Sequence, residues 1–201
     1  MRYEGFGDDI AGLAAHLGLG QVDLLGYSLG GGASLRCAIQ HPALVRRLVV
    51  AAAPCRREGW FPEVLAGMEQ VGAALLDQVR QSALFESWAT VAPDVDAIPV
   101  VMDKLGALLR RPYDWSAEVS QLSLPVLLVF GDADSVPTAH AAEFFALLDG
   151  GLRDAGWDGS MAGISRLAIL PGRTHYDVFA APELAALVAR FLDQPGSQPS
   201  R

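Results

Sequence analysis

Four short apolar runs constrain this chain more than any other feature: "QVDLLGY" (21–27), "RRLVVAAAP" (46–54), "LPVLLVFGDAD" (124–134) and "SRLAILPG" (165–172). Each is apolar at successive rather than alternate positions and is bounded by Gly, Pro or polar residues. That is the pattern of a strand covered on both faces, as strands of a parallel sheet are. Helical patterns fill much of the space between them. Residues 4–17 set Phe6, Ile10, Leu13, Ala14 and Leu17 three and four apart, with Asp8 and Asp9 near the front and Gly18 or Gly20 as the stop. Residues 29–40 read as a helix rich in small residues that ends at "HP", and 138–149 and 182–193 read as two more. Strands alternating with helices predict an α/β fold, a mostly parallel sheet with helices on both faces.

Residues 58–117 break that alternation. "EVLAGMEQVGAALLDQVRQSALFESW" and "DAIPVVMDKLGALLR" read as two or three helices with no strand between them, which predicts a helical cap or lid. The expected division is therefore 1–57 and 118–194 as the α/β core and 58–117 as the lid. The polar stretch 195–201, rich in Pro, Ser and Gly, is expected to be a disordered tail.

A chain of 201 residues, 51% of them hydrophobic, suffices for one compact domain with a small appendage. Its net charge of −8 supplies no basic patch, which argues against nucleic acid or an anionic membrane as partner and for a small-molecule substrate. Cys37 and Cys55 are too few for a disulfide framework, and no CxxC or Cys/His cluster suggests a metal, so both are read as buried thiols. The opening "MRYEGFGDDI" is acidic rather than signal-like, and no apolar run approaches the ~18 residues of a membrane span. A reduced cytoplasmic setting is expected, and no cofactor is called for.

The chemistry is signalled where the first strand becomes a helix, at "GYSLG" (26–30). A turn that sharp forces its central residue into a strained backbone conformation, and glycines at both flanks are expected to remove side chains that would collide. Ser28 is thereby lifted clear of the sheet, over a helix N-terminus whose N–H groups favour a developing oxyanion. The N–H of Leu29 is the first such donor. A serine hydroxyl is a weak nucleophile and needs a base, which in turn needs an acid to orient it. Such groups gather at the carboxyl ends of the strands. "GDADSVP" supplies Asp132 and Asp134, "PGRTHYDV" supplies His175, and the order Ser, Asp, His suits this arrangement.

Through "GYSLGGG", "HPALVRRLVV", "PVLLVFGDADSVP" and "LPGRTH" the chain resembles the α/β-hydrolase superfamily, in particular its lidded serine esterases, cofactor-free haloperoxidases and carbon-carbon bond hydrolases. The resemblance covers roughly residues 4–193. It implies Ser28 as nucleophile, His175 as base and, from the fourth position of a G-x-x-D turn, Asp134 as the acid, with Asp132 as runner-up. Tyr27, beside the nucleophile, is expected to bind substrate. His16 and His41 are read as helix-closing residues, His140 as a helix residue outside the site, and Asp177 as a helix-capping acid. Trp60, Phe61, Trp88, Tyr113 and Trp115 are read as aromatics that either pack or line an apolar site.

The resemblance also implies strands ahead of the nucleophile strand and a His-Gly loop carrying a second oxyanion donor. Residues 1–27 contain neither, so the fold is expected to be N-terminally truncated and one donor short, a loss that can cost about 10²- to 10³-fold in turnover. Two readings follow. One is a serine hydrolase acting on an ester, thioester or related acyl carbon. The other is a weak or inactive hydrolase-like module that forms a homo-oligomer through an exposed sheet edge.

Overall fold

A computed structural model describes residues 1–193, and the expected tail at 195–201 lies outside them. In chain order the elements are α1 (Tyr3–His16), β1 (Val22–Tyr27), α2 (Leu29–Gln40), β2 (Val45–Ala51), α3 (Pro62–Glu69), α4 (Leu76–Arg80), α5 (Ala83–Ala89), α6 (Ile98–Leu109), α7 (Ser116–Val119), β3 (Val126–Ala133), α8 (Thr138–Leu147), β4 (Arg166–Thr174) and α9 (Pro182–Leu192). Each of the four apolar runs supplies a strand. They form one sheet in the order β1-β2-β3-β4, every neighbour parallel.

Burial follows position in that order. β2 and β3, each with a neighbour on both sides, bury Leu48, Val49, Val50 and Val126 to Phe130 almost completely. α9 lays Leu184 and Phe191 against Val49, Leu127 and Val129 to close one face. Among the described residues β1 has a strand on one side only, and its Leu25 stays 50% exposed.

The inward face of α1 matches the expected one in part: Ala14 is buried and Phe6 and Ile10 half-buried as the pattern predicts, but the face is rotated away from Leu13 and Leu17. Tyr3, Gly7 and Ala14 are buried while Leu13 and Leu17 are exposed. α1 packs on α2, and a side chain at Gly7 would come within 3.1 Å of the Cys37 nitrogen, so the small residues set the contact.

The described chain divides into two compact units, Pro62–Pro112 with Met1–Arg2, and Tyr3–Phe61 with the remainder from Tyr113. The Pro62–Pro112 part of the smaller unit is helical, and Met1–Arg2, expected with the core, groups with it. Within it α6 packs on α3, Arg110 donates to the Val71 carbonyl at 2.9 Å and Asp103 accepts the Ala73 N–H at 2.8 Å. Residues flanking it belong to the sheet unit because they pair with each other: Arg57 N–H donates to Tyr113, Trp115 N–H to Cys55, and Arg56 bridges Asp114.

Candidate active site

Ser28 joins β1 to α2 with φ 52° and ψ −121°, a conformation that costs an L-residue about 1–3 kcal/mol and is held only by its surroundings. Two backbone hydrogen bonds hold it, from Ser28 N–H to the Ala51 carbonyl at 2.9 Å and from Gly32 N–H to the Ser28 carbonyl at 3.1 Å. Its hydroxyl makes no helix-capping bond, which leaves it free for another partner. The two flanking glycines differ. A Cβ on Gly26 would lie 2.2 Å from the Gly30 carbonyl oxygen, whereas one on Gly30 meets nothing within 4 Å. The expectation that both glycines relieve a collision is thus corrected: Gly26 does, because the α2 backbone turns directly over it.

His175 follows β4 and faces Ser28, with Nε2 3.0 Å from Ser28 Oγ. Its Nδ1 lies 2.9 Å from Asp134 Oδ1. The Asp134 side chain is fully buried and also accepts the N–H groups of Gly131 and Val136, at 3.2 and 3.3 Å, so three bonds aim one carboxylate. Asp132 is exposed and instead accepts the Gly172 N–H at 2.8 Å, bracing a turn whose glycine has φ 69°. Leu29 is the first residue of α2, and its N–H has no acceptor within its own helix.

Tyr27, expected to bind substrate, has its polar tip engaged within the protein. Its hydroxyl is taken up by the His175 carbonyl oxygen at 2.5 Å, and its ring packs beside those of His175 and Phe179. Burial raises its pKa above the ordinary tyrosine value, with Asp134 adding to the effect. Trp60 is the one aromatic of the expected set that touches His175, edge-on with ring centres 5.5 Å apart. Tyr113 and Trp115 pack with Tyr3 in a three-ring cluster, and Trp88 packs on Phe85 inside the helical unit. The contacts of Tyr27 and Trp60 with His175 escaped sequence reasoning, because they join residues more than a hundred positions apart. The only local signal was a polar tip at the end of an apolar strand.

The other titratable candidates lie elsewhere. His140 is buried on α8, where Nε2 accepts the Cys55 N–H at 3.3 Å, and burial holds its pKa below the ordinary value. His41 pairs with Asp8 at 3.0 Å, and His16 is exposed at the end of α1. Asp177 caps no helix. Its carboxylate reaches back to accept the Thr174 N–H and hydroxyl at 2.7 and 2.8 Å, bonds that lower its pKa. Cys37 and Cys55 are free and buried, and burial pushes both thiols up to about 11. Among the described residues no group of three His, Cys, Asp or Glu is placed to hold a metal ion, and no helix is long and apolar enough to cross a membrane.

A parallel sheet with a strained serine between β1 and α2 defines a class. The chain belongs to the alpha/beta hydrolase fold family, whose model matches residues 1–155. Among curated proteins it is similar to the pimeloyl-[acyl-carrier protein] methyl ester esterase of Yersinia enterocolitica, 28% identical over 195 residues, which covers 87% of this chain and 70% of the relative. The enzyme of that name from Nitrosomonas europaea is 32% identical over 146 residues, 62% of this chain and 58% of its own. Solved structures with the same fold include E-2-(acetamidomethylene)succinate hydrolase, with TM-score 0.67, 23% identity and coverage of 96% of this chain and 74% of that one. The enol-lactonase of Burkholderia xenovorans LB400 has TM-score 0.62 and 20% identity, with the same coverage.

Proposed function

We propose that the protein is a serine hydrolase that cleaves an ester, thioester or related acyl carbon of a small apolar substrate. The observation that carries this reading is the continuous path from Ser28 Oγ through the His175 ring to a buried Asp134, at 3.0 and 2.9 Å. Ser28 Oγ attacks the acyl carbon while His175 Nε2 takes its proton. Asp134 holds the proton on Nδ1 and stabilises the imidazolium. The Leu29 N–H donates to the oxyanion of the tetrahedral intermediate. On collapse the leaving oxygen or sulfur takes the proton from Nε2. Water, deprotonated by the same nitrogen, then releases the acyl group and restores Ser28. The names of the two curated relatives, both methyl ester esterases, support an ester among these substrates.

In this reading the helical unit serves as the cap that selects substrate, supported by its insertion in the chain between β2 and β3. Replacing residues 62–112 by a short linker is then expected to change which p-nitrophenyl esters are hydrolysed. A cytoplasmic location is supported by the two free thiols.

The test is covalent. A fluorophosphonate probe labels the wild type and fails on Ser28→Ala, and equal labelling of both would refute the assignment. On a p-nitrophenyl ester, Asp134→Asn is expected to lower kcat by about 10³- to 10⁴-fold, through loss of the correct imidazole tautomer. Asp132→Asn should stay within a few-fold of wild type.

A second reading concerns assembly. No strand pairs with the outer edge of β1 among the described residues. We propose that the isolated chain self-associates there, which its mass in solution reports.

A further inference from the structure

We propose that Tyr27 is a positioning residue for His175, its hydroxyl tying the backbone of the base to the strand that delivers the nucleophile. The inference rests on reading Ser28 and His175 as nucleophile and base. Those two residues arrive on β1 and just after β4, the opposite edges of a four-stranded sheet. With neighbouring strands about 4.8 Å apart, the edges are roughly 14 Å apart, so the 3.0 Å contact is made by chain that has left the ladders. His175 is the first residue beyond β4 and has no ladder to hold it.

Consecutive residues of β1 and its turn grip His175 instead. Ser28 Oγ meets the ring at Nε2, and Tyr27 Oη donates to the main-chain carbonyl. The first contact is the reactive one and cannot also serve as a fixed strut while its proton moves. The second takes no part in proton transfer and fixes where the Cα of His175 sits relative to Ser28. The Tyr27 hydroxyl remains protonated, because burial raises its pKa, so it donates throughout the working range of a histidine base. Its ring, 5.3 Å from the imidazole and 5.1 Å from Phe179, is already packed, and the O–H can be removed without emptying the space.

The experiment compares inactivation of the full chain by a fluorophosphonate, separating the maximal rate kinact from the half-saturating concentration KI, in wild type, Tyr27→Phe and Phe179→Leu. Tyr27→Phe is expected to lower kinact about tenfold with KI changed less than twofold, since a small misplacement of base and nucleophile acts on the chemical step. Phe179→Leu, which loosens the same ring but spares the hydroxyl, should keep kinact within twofold. An unchanged kinact in Tyr27→Phe overturns the inference and leaves Ser28 and His175 as they are. A rise in KI alone also overturns it, placing Tyr27 against substrate. An equal fall in kinact for both variants overturns it in favour of ring packing. Failure of the wild type to be labelled at Ser28 removes the underlying reading and this inference with it.

Discussion

At the scale of single residues, Gly26 and Gly30 show how one motif hides two different demands. Both flank Ser28, yet only Gly26 lies under backbone, where an added methyl group would overlap the Gly30 carbonyl at 2.2 Å. Backbone cannot swing aside as a side-chain tip can, so Gly26→Ala is expected to cost about 3 kcal/mol or more, at the upper end of overpacking penalties. Gly30 lies in α2 with open space where its Cβ would go. Gly30→Ala is therefore expected to hold or raise stability by up to about 1 kcal/mol, the helix-propensity difference between the two residues. Denaturant melts of both variants check the pair, and equal destabilisation would contradict it. The carboxylates divide in a similar way. Asp132 and Asp134 sit two apart in one turn, and the geometry that sets Asp134 alone against His175 depends on β4 and its turn, forty residues on.

At the scale of elements, the strands were legible because a doubly covered strand must be apolar on both sides. The face of α1 was legible only in part. Periodicity picked out Ala14, which is buried, but it also weights Leu13 and Leu17, which are exposed, and passes over Gly7, whose lack of a side chain lets α1 approach α2. α8 carries a prediction of its own. His140 keeps Nε2 free of a proton so that it can accept from Cys55 N–H, and burial, then the Arg56 charge, lowers its pKa, with Glu143 and Asp114 acting the other way. The unfolded chain takes up that proton near the ordinary value of about 6.5, before the folded chain does. His140 therefore contributes no slope above that pH. Stability falls as pH drops from there toward the lowered folded value. His140→Gln, which keeps an acceptor without titrating, should flatten the dependence of Tm on pH below about 6.5. Parallel profiles for the two proteins would show that His140 is not the group responsible.

At the scale of the whole molecule, the outer edge of β1, which no strand pairs among the described residues, carries a prediction about behaviour in solution. Native edges are protected by charge, proline or bulges. β1 has a single charged residue, Asp23, and the Arg46 guanidinium engages that carboxylate from the neighbouring strand. Its charge is thus neutralised where it would repel a second strand, and Leu25 stands half exposed beside it. Light scattering at micromolar concentration is expected to show dimers or larger species for the 201-residue chain. A monodisperse monomer with a two-state melt would refute this. The sequence alone determined the α/β class, the parallel sheet and the residue types of the candidate site, because apolar runs, a glycine-flanked serine and strand-end acids are local patterns with local causes. Tertiary structure decided that Gly26 and not Gly30 is crowded, that Asp134 and not Asp132 meets His175, and that Tyr27 holds the His175 backbone. Those are contacts between segments far apart in the chain, and their distances exist only after the sheet has brought its strand ends together.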